Sequence, residues 1–136
     1  MAAIEYAVPS LQVERIILCE HSHSHCGAIR TACEGRPGEA VALTQWLKLI
    51  DKALLPVQPG PEAMRRTEQR AVVLQLERLK DYPMVHPAVL TGTLTLHGWH
   101  YVIDEVEMYI FDALRGDFVP VSLASDCGTG PYPAVC

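Results

Sequence analysis

The sequence predicts an α/β domain, a mainly parallel sheet with flanking helices that ends in a C-terminal hairpin. Three observations carry that expectation. Residues 15–19 hold the continuous apolar run Ile16-Ile17-Leu18, the pattern of a parallel strand buried on both faces. Residues 39–55 and 62–80 repeat apolar side chains at helical spacing. Residues 93–103 and 106–111 are rich in Thr, aromatic and β-branched residues and read as two paired strands. The order strand, helices, strand, strand belongs to the α/β class.

The elements follow in chain order. Ile4, Ala7 and Val8 sit at helical spacing, so residues 2–8 read as the end of a helix, interrupted by Pro9-Ser10. Leu11 to Val13 re-enters the core ahead of the strand. Residues 27–33 begin a helix that Gly35-Arg36-Pro37-Gly38 stops. In residues 39–55, Val41, Leu43, Trp46, Leu47 and Ile50 supply one apolar face. Residues 56–61 carry three prolines and form a turn. Residues 62–80 make the longest helix, with Val72, Val73, Leu76 and Leu79 as its stripe and Tyr82-Pro83 as its end. Residues 84–90 are short and punctuated by proline. The strand over 93–103 turns at Asp104-Glu105 into 106–111, and 112–117 turns again before Phe118–Val121 closes the ordered part. No internal repeat or linker divides the chain. One domain over 1–123 and a flexible Gly/Pro-rich tail over 124–136 are expected.

Composition narrows the function. The chain has 136 residues, 49% hydrophobic and 20% charged, which suits one domain with a sizeable core. Formal net charge is −5, and Arg65-Arg66 is an isolated basic pair, so nothing resembles the basic stripe of a nucleic-acid binder. No apolar run approaches the ~20 residues that span a bilayer. Glu5 stands early and no basic n-region precedes it, so the N-terminus does not read as a secretory signal and a cytoplasmic location is expected. Five cysteines (Cys19, Cys26, Cys33, Cys127 and Cys136) are odd in number and unevenly spaced, unlike a disulfide framework. Cys19 and Cys33 read as packed thiols; Cys127 and Cys136 fall in the tail.

The densest chemistry lies at residues 19–27, Cys-Glu-His-Ser-His-Ser-His-Cys-Gly. An apolar strand ends there in zinc-capable donors and turns at once into a helix. His23 and Cys26 have the spacing H-x-x-C, and a soft nitrogen beside a thiolate is what zinc prefers. Zinc takes about four ligands, and this stretch supplies two. His21, His25, Cys19 and Cys33 are the further candidates within the chain. In an extended segment His21, His23 and His25 share one face, since alternate residues do. A partner polypeptide is the other source. The bland reading of the same residues is a polar loop without metal.

Several segments together resemble one family. Ile-Glu-Tyr-Ala-Val at 4–8, Arg-Ile-Ile-Leu-Cys at 15–19, His-Ser-His-Cys-Gly-Ala-Ile at 23–29, Tyr-Pro-Met-Val at 82–85 and Leu-His-Gly-Trp-His-Tyr at 96–101 are similar to the β-class carbonic anhydrases, in particular the plant and cyanobacterial branch. The resemblance runs from about residue 3 to 121. It implies a zinc enzyme that interconverts carbon dioxide and bicarbonate through a zinc-bound hydroxide. It also implies a mainly parallel sheet assembled into oligomers. It maps a histidine ligand onto His23 and a cysteine ligand onto Cys26. The implied partners are carbon dioxide and bicarbonate and further copies of the chain, without nucleic acid or membrane.

Two departures qualify the match. The family's Cys-x-Asp-Ser-Arg motif, which carries its first zinc cysteine and its catalytic aspartate–arginine pair, occurs nowhere in this sequence. The chain therefore resembles the C-terminal part of such an enzyme. Second, a His-Ser unit stands doubled, so His23 keeps the spacing to Cys26 while His21 keeps the spacing to the strand. His23 is favoured because ligand and cysteine must converge across one turn.

Other polar residues have plainer expectations. Trp99 and Tyr101 read as core or interface packing. His97 and His100, three apart on a strand, face opposite sides and read as packing or hydrogen-bonding groups. Asp104 and Glu105 are turn residues, and Arg65 and Arg66 a solvated helix face.

Overall fold

The structure, a computed structural model, describes residues 2–22, 27–35, 40–58 and 60–121. Four strands form one sheet in the order β1 (Arg15–His21), β2 (Thr95–Val102), β3 (Glu107–Asp112) and β4 (Asp117–Pro120). β1 and β2 are parallel, with Cys19 opposite Trp99 and Glu20 opposite His100. β2–β3 and β3–β4 are antiparallel. The α/β class and the C-terminal hairpin are as expected. The sheet is mixed, with parallel pairing confined to β1–β2 among the described strands.

The helices are α1 (Ala2–Ala7), α2 (Gly27–Glu34), α3 (Val41–Leu47) continuing into a 3₁₀ turn over Lys48–Ala53, α4 (Pro61–Lys80) and α5 (Val85–Leu90). Pro61 opens α4 at its first position, where its missing N–H is not needed; the proline turn ends one residue earlier than expected. The proline-punctuated stretch is a short helix, because Pro87 falls in the first turn of α5, where no intrahelical partner awaits its nitrogen.

α4 is the backbone of the packing. Met64, Glu68, Val72 and Leu76 recur every four residues and are all buried, making one stripe along the helix. Val72, Leu76 and Leu79 form a cluster against Ile16 and Leu18 of β1, Leu96 of β2, Phe111 of β3 and Phe118 of β4. Gly98 allows this approach. A Cβ built there would lie 2.8 Å from Val72 Cγ1 and 2.9 Å from Leu76 Cδ1, closer than packed carbons tolerate. On a neighbouring face of α4, Ala71 joins Ile29 of α2 and Ala53 of the 3₁₀ turn. A third cluster, Val8, Val85 and Leu94, ties α1 and α5 to the lower sheet.

Three expectations change. β1 is not buried on both faces: its residues alternate exposed and half-buried, with Ile17 48% exposed. A parallel strand is covered on both sides only when helices flank both sheet faces. Here α4 covers one, and β1 lies at the sheet edge. The helix expected over 39–55 breaks into an α and a 3₁₀ part. Its buried residues are Leu47 and Ala53, while Val41, Leu43 and Trp46 are exposed. On α4, Val73 is half-buried and Glu68 takes a place in the buried stripe. The expected domain boundary at 123/124 lies outside the described residues.

Candidate metal centre

The donor-rich loop leaves the carboxyl end of β1, the parallel strand, and enters α2 at Gly27. In α/β sheets this end of a strand is where ligand sites form. His23, His25 and Cys26 lie outside the described residues, as do Cys127 and Cys136. The described residues show how the loop is launched. Ser22 is buried; its backbone N–H donates to Tyr101 O at 2.9 Å, and its Oγ accepts from Ile103 N at 3.1 Å. The strand end is thus pinned to β2 immediately before the histidines. His21 Nδ1 lies 3.2 Å from the Ser22 carbonyl, and its side chain is exposed.

The remaining ligand candidates separate. Cys19, expected in the core, is exposed on the outward face of β1, because inward positions of that strand fall to Ile16, Leu18 and Glu20. Cys33 packs beside Ile29, Ala53 and Ala71. Neither thiol is activated. Partial burial, reinforced by Glu20, raises Cys19; burial raises Cys33 against an opposing hydrogen bond from Thr67. Among the described residues no group of three or more His, Cys, Asp or Glu side chains is placed to hold a metal. His23 and Cys26 have the right donor chemistry for zinc but make only half a set.

A polar pair is buried in the core, between α4 and β2. His100 Nε2 and Glu68 Oε2 are 2.9 Å apart, and both side chains are fully buried. His100 Nδ1 has no hydrogen-bond partner. The ring sits edge-on to Phe118 and tilted against Tyr109. Glu20, the register neighbour of His100 on β1, faces the same side, and burial together with the Glu68 charge pushes its carboxyl up to about 7. His97 takes the opposite face and bonds Thr95 Oγ1 at 3.0 Å; burial, then Arg15, lowers its pKa. The two histidines face opposite sides, as their spacing requires. Sequence reading missed Glu68, although a carboxylate at the i+4 step between Met64 and Val72 was a visible signal. Arg65 was expected in solvent but pairs with Glu105 of the β2–β3 turn.

A mixed sheet with helices packed on it defines an α/β protein, and its sequence carries a His/Cys-rich stretch directly after the parallel strand β1. Comparison with known proteins is specific. The carbonic anhydrase family model matches residues 1–108. Carbonic anhydrase from Synechocystis sp. is 33% identical over 126 residues, covering 87% of this chain and 45% of its own. Carbonic anhydrase 1 of Escherichia coli O157:H7 is 32% identical over 127 residues, covering 89% and 57%. Among solved structures, the β-carbonic anhydrase CcaA superposes with a TM-score of 0.74 at 32% identity, over 88% of this chain and 56% of that one. A tetrameric β-carbonic anhydrase from Sordaria macrospora gives 0.64 at 28% identity, over 95% and 60%. The chain belongs to the β-class carbonic anhydrase family. It spans about half the length of the curated relatives it matches.

Proposed function

We propose that the chain is a zinc-dependent carbonic anhydrase interconverting carbon dioxide and bicarbonate, with the metal held by His23 and Cys26. The observation that carries the reading is the H-x-x-C loop of a family member, launched from the end of the parallel strand and anchored there by Ser22. His23 binds as neutral imidazole, and Cys26 binds as a thiolate beside the start of α2, where the helix N-terminus favours negative charge. Zinc, when bound, supplies a water whose pKa falls to about 7. Further ligands come from outside the described residues. The reading includes self-association, supported by the tetrameric relatives from Sordaria macrospora. It also includes a cytoplasmic setting, supported by the free thiols Cys19 and Cys33.

A second reading is a catalytically inactive zinc-binding or oligomerisation module. The absence of any Cys-x-Asp-x-Arg in the sequence favours it. Zinc content and turnover separate the two. Zinc per chain falls when His23 or Cys26 is changed to Ala; stoichiometric zinc in the Cys26→Ala protein removes the ligand assignment. Stopped-flow carbon dioxide hydration by the zinc-loaded chain supports the enzyme; bound zinc without turnover supports the module.

A further inference from the structure

Helix α4 meets the sheet through two repeats of nearly equal length. Its buried stripe is Met64, Glu68, Val72 and Leu76, one residue in every four, a step of about 6 Å along a helix. The inward residues of β2 are Leu96, Gly98, His100 and Val102, one in every two, a step of about 6.7 Å along a strand. The two rows run in opposite directions. Glu68 meets His100, Val72 and Leu76 meet Gly98, and the cluster of Val72, Leu76 and Leu79 reaches Leu96.

A slip of α4 by one turn therefore brings each side chain of the stripe to the next place on β2. In one direction His100 faces Val72 and Gly98 faces Leu76 and Lys80. In the other His100 faces Met64 and Gly98 faces Glu68 and Val72. Shape alone discriminates weakly between such seatings, because apolar cores accept repacking by side chains of similar volume. The feature of this seam that does not repeat is its polarity. Among the described residues, Glu68 and His100 are the only buried side chains that titrate. His100 Nε2 lies 2.9 Å from Glu68 Oε2, and Nδ1 has no partner, so the ring has one hydrogen bond to lose. A slip in either direction parts the two groups, and an unpaired buried polar group is among the costliest defects a core can hold.

We propose that the Glu68–His100 contact is the register key of the fold, selecting one of several nearly equivalent seatings of α4 on the sheet. A lone polar contact in an apolar seam fixes register in the same way in coiled coils. The bias against a slipped seating is roughly 10²- to 10³-fold. Its effect reaches beyond the seam. The Arg70 guanidinium on α4 donates to the carbonyls of Ala53 and Lys52 in the 3₁₀ turn, and Ala71 packs with Ile29 of α2. One seating of α4 thus fixes the place of α2, the helix that starts directly after Cys26 in the sequence.

Nuclear magnetic resonance on the full chain reads the register, with circular dichroism as the check on folding. The wild type gives one set of amide resonances, and the Gly98 α-protons show Overhauser contacts to Val72 and Leu76. Glu68→Leu/His100→Phe removes the key while keeping the seam filled. That variant stays folded but gives two sets of resonances along α4 and β2, the second with Gly98 in contact with position 68 or with Lys80. Glu68→Gln, which keeps a hydrogen-bonding group opposite His100, gives one set. A double variant with one set and the wild-type Gly98 contacts overturns the proposal, because shape then suffices. A double variant that does not fold overturns it too, since the pair then supplies stability and not choice of register. Two sets in Glu68→Gln show that the hydrogen bond is not the key.

Discussion

Glu68 and His100 meet 2.9 Å apart in the centre of the molecule, with no exposure of either side chain. One comes from the middle of α4 and the other from β2, so the contact joins the two elements that carry the fold. Removing one member of a buried pair leaves the other uncompensated, at a cost of about 3–5 kcal/mol. Glu68→Ala is expected to lose stability in that range by urea unfolding. The double change Glu68→Leu/His100→Phe, which removes both polar groups, costs less than the single one. Equal or greater loss in the double variant contradicts this.

Glu20 sits beside that pair with its carboxyl raised to about 7 by burial and by the Glu68 charge. An unfolded glutamate titrates at about 4.3. Between those two values the folded state keeps a proton that the unfolded state has released, so stability falls as pH rises through the window. Below it, the contribution is fully present. The urea midpoint of the wild type is expected to drop from about pH 4.5 to 7 relative to that of Glu20→Gln, which cannot titrate there. Parallel profiles for the two proteins would show that Glu20 is not held protonated.

Ser22 closes the end of β1 onto β2 through two hydrogen bonds. Ser22→Ala leaves the Ile103 N–H without its partner, which costs about 1–3 kcal/mol, and frees the start of the loop that carries His23 and Cys26. Zinc affinity, measured by competition with a chromophoric chelator, is expected to fall in step with stability. Unchanged affinity would mean that zinc binding does not depend on the Ser22 anchor.

Gly98 is the point where the sheet rests on α4. Gly98→Ala pushes a carbon into Val72 and Leu76, and overpacking of this kind costs about 1–3 kcal/mol. The thermal midpoint is expected to fall for Gly98→Ala and further for Gly98→Val. A substitution at Gly92, whose Cβ would meet no atom within 4 Å, gives no such steric ladder, although its φ of +72° disfavours any side chain.

Much of the architecture was legible because its signals are local. The Ile-Ile-Leu run marked β1, the four-residue stripe marked α4, and alternation marked the hairpin. The H-x-x-C spacing of His23 and Cys26 was legible for the same reason. Local pattern failed where burial depends on what lies across the fold. Val41 and Trp46 were expected to pack but stand in solvent, because only part of their segment reaches α2 and α4. Cys19 was expected inside and is outside, since strand alternation and one-sided helix cover place it there.

By itself the sequence determined the element order and the family, which rest on patterns of neighbouring residues. Only the tertiary structure decided which residues share an interior. Thirty-two positions separate Glu68 from His100, and eighty-one separate Ser22 from the Ile103 N–H it binds. It also decided that, among the described residues, α4 packs on the face of the sheet that carries Leu18, Leu96 and Phe111. Side-chain period records that a strand has two faces; which of them is buried depends on where α4 lands, and that is set by Gly98 admitting Val72 and Leu76 against the inward side.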